Sequence, residues 1–263
     1  MKILELPTTF QTPPDIVIPS RDAYGVLHGS SYTPWIDPAT MNYATRASFS
    51  GVKVHRVHVA RSPDQTRAIA AFNFNPYVID IRELYPVYSP SAYNRAKLRG
   101  VRTAQSEITI LQIVLTLVLP PDHRLHYHVV TVKDETDQPV SEGSKRQQRV
   151  QKILEERGWT EEKLRGDLFT KRAYGNHMLM KIWSGHAEVW RQHAEAEIFA
   201  DRLKSHSLRG VLMDIVNRHA RHLGMSTAYA FELFAAAVSF GMLRLDHAEY
   251  LRVDRPLYLQ KEM

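Results

Sequence analysis

Between Glu107 and Lys133 the chain carries two long apolar runs split by Pro120-Pro121-Asp122-His123, and no other segment constrains the fold as strongly. Two consecutive prolines stop regular structure, and the polar pair after them turns the chain back on itself. The pattern predicts two long antiparallel strands joined as a hairpin inside a sheet. The stretch Ile108 to Pro121 contains Gln112 and falls short of the roughly 18 apolar residues that a membrane span needs. The opening Met1-Lys2-Ile3-Leu4-Glu5-Leu6-Pro7 lacks a signal-peptide core, so the chain reads as soluble and cytoplasmic, with no membrane partner.

The flanks of the hairpin supply further elements. Ser62-Pro63-Asp64-Gln65 is a helix start, with Ser62 as N-cap, Pro63 at the first helical position and Gln65 completing a capping box. A short helix through Phe72 should follow, then a short strand over Tyr77 to Arg82 ended by Pro86. Ser89 to Arg102 reads as a basic loop holding Arg95, Lys97, Arg99 and Arg102. Beyond the hairpin come a polar loop over Asp134 to Gly143, a charged helix over Lys145 to Gly158, another short helix starting in Trp159 to Lys163, and a last strand over Asp167 to Thr170. Residues 51–172 thus form an α/β unit. The first 50 residues, rich in Pro, Ser, Thr and Tyr, precede it as an extended arm or irregular cover.

After Thr170 the pattern turns helical, over Tyr174 to Gly185, Ala187 to Lys204, Leu208 to Leu223 and Thr227 to Phe240, with Gly224 and Gly241 as stops. Met242 to Asp246 and Tyr250 to Asp254 should pair about the turn His247-Ala248-Glu249. Helices closed by a two-stranded wing make residues 173–263 an all-α winged-helix domain.

The 263 residues hold no cysteine, which removes disulfides, thiolate zinc sites, iron–sulfur clusters and a cysteine nucleophile. Thirty-four Lys and Arg against 28 Asp and Glu give a net charge of +6, and the pI near 9.4 favours a polyanionic partner, double-stranded DNA first. No phosphate-binding glycine loop, GxGxxG, HExxH or GxSxG is present, so nucleotide hydrolysis and zincin-type proteolysis are unsupported. His126 and His128 share a strand face and His219 and His222 a helix face, yet neither pair has a third metal donor in sight.

The order of capped helix, Val78-Ile79-Asp80-Ile81-Arg82-Glu83 strand with Pro86 after it, Arg99-Gly100-Val101, hairpin ending Val130-Thr131-Val132-Lys133, helix, Leu168-Phe169-Thr170 and Ile182-Trp183-Ser184 resembles TnsA, the endonuclease subunit of heteromeric cut-and-paste transposases. The resemblance runs from about Val54 to the C-terminal wing. It implies an α/β restriction-endonuclease-like N-terminal domain, a winged-helix C-terminal domain, and work beside a transposase subunit and an AAA+ regulator. In that family a Glu on the capped helix, an Asp on the first hairpin strand and a lysine two residues after a Gln on the second strand bind magnesium and activate water. A hard divalent ion needs such anionic oxygens, and it neutralises the charge that develops on phosphodiester cleavage.

At those positions this chain departs from the pattern. Gln65 stands where the helix Glu is expected, and Gln112 falls within a couple of residues of the position facing Lys133, where the Asp is expected. Thr131 replaces the Gln, and Lys133 alone survives. Two amides keep the shape but remove about two negative charges, so magnesium is expected only if the centre is otherwise intact. Glu107 could rescue the Asp position through another strand register.

The segment expected to read DNA, Thr227 to Phe240, contains no Lys or Arg. Its aromatic residues Tyr229, Phe231 and Phe234 therefore fit the core or a protein-docking face, leaving Arg218, Arg221, Arg244 and Arg252, with Arg95 and Lys97, as the candidate phosphate contacts. The leading expectation is a TnsA-like subunit acting through protein and DNA contacts with little nuclease activity. A magnesium endonuclease using Glu107 or Asp64, and a winged-helix adaptor outside transposition, are the alternatives.

Overall fold

The computed structural model describes residues 1–36, 47–101, 103–133, 145–185, 187–206 and 208–260. Arg102 and the polar loop expected over Asp134 to Gly143 lie outside the described residues.

The molecule is mixed α/β with two sheets and seven helices among the described residues. Strands β1 (Ala47–Ser50) and β2 (Val57–Ala60) form a small antiparallel sheet. The main sheet has the order β3-β4-β5-β6, from β3 (Val78–Tyr88), β4 (Ile108–Leu119), β5 (Arg124–Lys133) and β6 (Thr160–Arg165). The first three are an antiparallel meander, and β6 runs parallel to β5 after the crossover helix α3 (Lys145–Arg157). Helix α1 (Pro63–Asn73) covers one face through Ala68, Ile69 and Phe72, while Ile153 and Leu154 of α3 cover the other beside Tyr85 and Trp159.

The α1 signal acts as its chemistry demands. Ser62 Oγ accepts from Gln65 N–H at 3.2 Å, and Gln65 Oε1 reaches back to accept from Arg61 N–H at 2.8 Å, one residue before the cap. The expected hairpin is present, turning through a cis Pro120–Pro121 bond. Strand β3 is longer than expected and runs through Pro86, which an edge strand tolerates because a missing N–H faces no neighbour.

Several expectations are corrected. The basic loop after Ser89 is helix α2 (Pro90–Leu98), with Ser89 Oγ accepting from Ala92 N–H at 3.1 Å. The helix expected from Trp159 is strand β6, and Asp167 to Thr170 forms no strand: Gly166–Leu168 is a 3-10 turn, and Thr170 caps α4 (Lys171–Ser184). Of the two forms expected for the N-terminal segment, residues 1–36 take that of an irregular cover and not that of an extended arm, since Ile3, Phe10 and Tyr32 are buried in the cores of the α/β half.

The last correction is the wing. Arg244 to Asp246 pair with Tyr258 to Gln260 through Asp246 N–H to Tyr258 O at 3.1 Å and Gln260 N–H to Arg244 O at 2.9 Å, not with Tyr250 to Asp254. The intervening segment is claimed by helices. Helix α6 (Leu212–His222) lacks a side-chain cap, so the carbonyls of Arg255 and Val253 accept from Leu212 and Met213 N–H at 2.8 and 2.9 Å. Asn176 on α4 meanwhile accepts from Leu251 N–H at 2.8 Å. With α5 (His193–Ser205), these helices surround α7 (Thr227–Ser239), whose Ala235, Ala236 and Ala237 are fully buried.

Candidate functional site

Alternation along β3 and β4 breaks in mid-strand, apart from the register shift between Val78 and Asp80. Ile79 and Ile81 belong to the α1-side core, whereas Tyr85 and Val87 belong to the α3-side core. Across the ladder Ile113 and Leu115 face α1, and Leu111 faces α3. Both strands exchange faces between the pairs Glu83–Ile113 and Tyr85–Leu111, where Leu84 takes φ 54° and Gln112 lies across from it. Backbone pairing of β4 with β5 ends at Ile113–Val130. Beyond it the Gln112 amide takes over, accepting from Val132 N–H at 2.6 Å and donating to Val132 O at 3.3 Å.

This register puts Gln112 level with Thr131, two residues short of Lys133. Val130 and Val132 face α1, so alternation points Thr131 and the exposed Lys133 to the opposite side. Gln65 is on the α1 side, 1% exposed, with its Oε1 held by the cap. The start of α1 abuts the end of β6, where a Cβ on Gly166 would overlap the Asp64 carboxylate. Asp64 itself is paired with Arg67. Glu107 is paired with Arg95 at 2.8 Å, at the start of β4. The carboxylates considered for a rearranged centre thus each hold a cation of their own. Among the described residues no three His, Asp or Glu gather into a group that could hold a metal. His128 is buried between Thr160 Oγ1 at 2.7 Å and Glu162 Oε2 at 3.3 Å while His126 is exposed, and buried His219 is likewise separated from exposed His222.

Sequence reading did not find the buried charges of β3. Glu83 takes two hydrogen bonds from Arg56, at 2.7 and 2.6 Å, and one from Val59 N–H at 3.0 Å. Burial pushes the Glu83 carboxyl up, but hydrogen bonds from Arg56 and His58 outweigh it and hold the group at about 2. Arg82 donates to Asp22 at 2.7 Å between the rings of Tyr85 and Tyr127, and Asp80 accepts from Gly29 N–H at 3.0 Å. These pairs clamp the N-terminal segment and the β1–β2 hairpin onto β3. The partners lie 27 to 60 residues apart in sequence, so no local pattern announces them.

The remaining expected residues are dispersed. Arg95 and Lys97 stand exposed on α2. A cleft of about 840 Å³ opens between α2 and α3, where Arg95, Arg149 and Lys152 meet Glu107 and Glu156. Arg218 donates to Arg209 O at 3.2 Å, Arg221 is exposed on α6, Arg244 is half-buried beside Pro7 and Pro76, and Arg252 is held by Asp254 at 2.8 Å. Phe231 and Phe234 are buried against Trp183, with ring centroids 4.6 and 5.8 Å away, so they are core residues and not docking anchors. Tyr229 is half-buried and donates to Glu195 at 2.9 Å.

No protein-family model matches the chain, and no curated protein matches it in sequence. Among the described residues no helix is long and apolar enough to cross a membrane.

Proposed function

We propose that this protein is a TnsA-like subunit of a DNA transposition complex whose nuclease centre no longer cuts, and which works through contacts with DNA and with a transposase and an AAA+ regulator. What supports a restriction-endonuclease-like core is the order of capped helix, strand, hairpin and following helix, which the resemblance shares; the strand after that helix is Thr160–Arg165 and not the Leu168-Phe169-Thr170 segment on which the resemblance drew. The wing expected of a winged helix has a different second segment, Tyr258 to Gln260, because Tyr250 to Asp254 cap and brace the helices instead.

The observation that carries the loss of cleavage is the clamp between Gln112 and Val132. A side chain spending both its donor and its acceptor on the neighbouring strand is a structural splice, with no anionic oxygen for a hard cation. The Gln65 Oε1 is committed to the α1 cap. Magnesium is therefore not expected at this centre.

DNA contact rests on the basic balance of the chain and the cations of α2 and α3. A mobility-shift titration on duplex DNA tests it. With about four phosphate contacts, affinity should fall by about three to four orders of magnitude for a tenfold rise in salt. Binding that ignores salt would remove nucleic acid as a direct partner.

A further inference from the structure

Helix α2 separates two grooves of different character. One is the polar cleft shared with α3, in which Glu107 neutralises Arg95. The other, of about 500 Å³, is lined by Trp35, Tyr88, Tyr93 and Lys97. Its rings are unusually open: Trp35 is 53% exposed and Tyr93 is 45% exposed, although aromatic side chains of this size are mostly buried. The Trp35 backbone N–H donates to Leu84 O at 3.3 Å, which ties the chain there to β3, and the Tyr93 ring stacks on Tyr88 with centroids 5.5 Å apart and planes 26° off parallel.

The charge beside these rings selects the partner. The sequence of α2 carries Arg95 and Lys97, with Arg99 as its C-cap, and contains no carboxylate. Flat exposed rings next to cations suit unpaired nucleobases on a phosphate backbone, whereas a duplex keeps its base faces stacked internally. Proline-rich peptides also use aromatic grooves, but they give the cations nothing to neutralise. We propose that this face of α2 holds single-stranded nucleic acid, with a base stacked on Trp35 and Tyr93 and neighbouring phosphates against Lys97 and Arg99. The inference rests on the nucleic-acid reading above and adds the strand state and the residues that recognise it.

The test uses the full chain and fluorescence anisotropy with a labelled 20-nucleotide oligothymidine and a 20-base-pair duplex. Trp35→Ala and Tyr93→Ala should each weaken oligothymidine binding about fivefold or more while changing duplex binding less than twofold. Trp35→Phe should keep most of the affinity, because it keeps a stacking face, and Lys97→Ala should lower the salt slope on the single strand by about 0.7. Oligothymidine binding that is unchanged in both alanine variants, or absent from a protein that still binds duplex, would overturn this inference and leave the duplex reading standing. Salt-sensitive binding to neither probe would overturn both.

Discussion

The side-chain amide of Gln112 pairs with the backbone of Val132 as a peptide group would, through one hydrogen bond of 2.6 Å and one of 3.3 Å. It extends the β4–β5 ladder past the point where the strands part at Ile113 and Val130. Gln112→Glu keeps the size but turns the donor into a second acceptor facing a carbonyl. That change should cost about 1–3 kcal/mol. Urea unfolding of the two proteins at neutral pH checks it, and equal midpoints would mean that the amide is not structurally required.

The junction of α1 with β6 makes a second expectation. Gly166 leaves no room for a Cβ against Asp64, so Gly166→Ala must push the helix start away from the sheet edge. Overpacking of this kind typically costs about 1–3 kcal/mol. Ser62→Ala removes the cap that accepts from Gln65 N–H and should cost about 1 kcal/mol. Thermal melts should rank the glycine variant as the less stable, and a Gly166→Ala protein that melts with the parent would show that the contact relaxes freely.

Acid lability follows from two groups with opposite chemistry and the same sign. Burial holds His177 neutral, down to about 3, with the neighbouring His247 adding to the effect. The unfolded chain takes up this proton near pH 6.5, so stability is lost as pH falls from 6.5 towards 3. Glu83, held at about 2 against an ordinary 4.5, contributes stability that is present above 4.5 and lost as pH falls towards 2. A melting temperature that declines in two stages, the first reduced in His177→Phe and the second in Glu83→Gln, is the expected profile. Glu83→Gln should also be less stable at neutral pH by about 3–5 kcal/mol, since it strands the buried Arg56.

The helical half gives a contrast between two aromatic residues of α7. Phe234 is fully buried, and Phe234→Ala should cost about 3–5 kcal/mol. Tyr229 is half-buried at the edge with one bond to Glu195, and Tyr229→Ala should cost far less. Denaturation curves that placed the larger loss at Tyr229 would contradict the packing described for α7.

What the sequence revealed follows from how local each signal is. Helix α1 and the β4–β5 hairpin were legible because a Ser-Pro-Asp-Gln cap and a Pro-Pro turn act over four residues. Helix α2 carries the same Ser-Pro start at Ser89-Pro90, but its run of basic residues with little apolar periodicity reads as a loop. Strand β6 reads Thr-Glu-Glu-Lys-Leu-Arg, a helix-like composition overridden by parallel pairing with β5. The supposed wing failed for a similar reason, since its backbone groups are used by the ends of α6 and by Asn176. The sequence places Gln65 on a helix start and Gln112 on a central strand, but only the structure shows that the Gln112 amide is occupied at both ends and the Gln65 Oε1 is held by the cap.

The proposed function, DNA binding without cleavage, can be read in both its parts on one gel. Supercoiled plasmid is incubated with the protein in magnesium and then manganese, beside a Lys133→Ala variant, and the products are run with and without protein removal. The account predicts a salt-sensitive shift before removal and plasmid nicked no more than the protein-free control after it, identical for both proteins. Metal-dependent nicking that disappears in Lys133→Ala would contradict it.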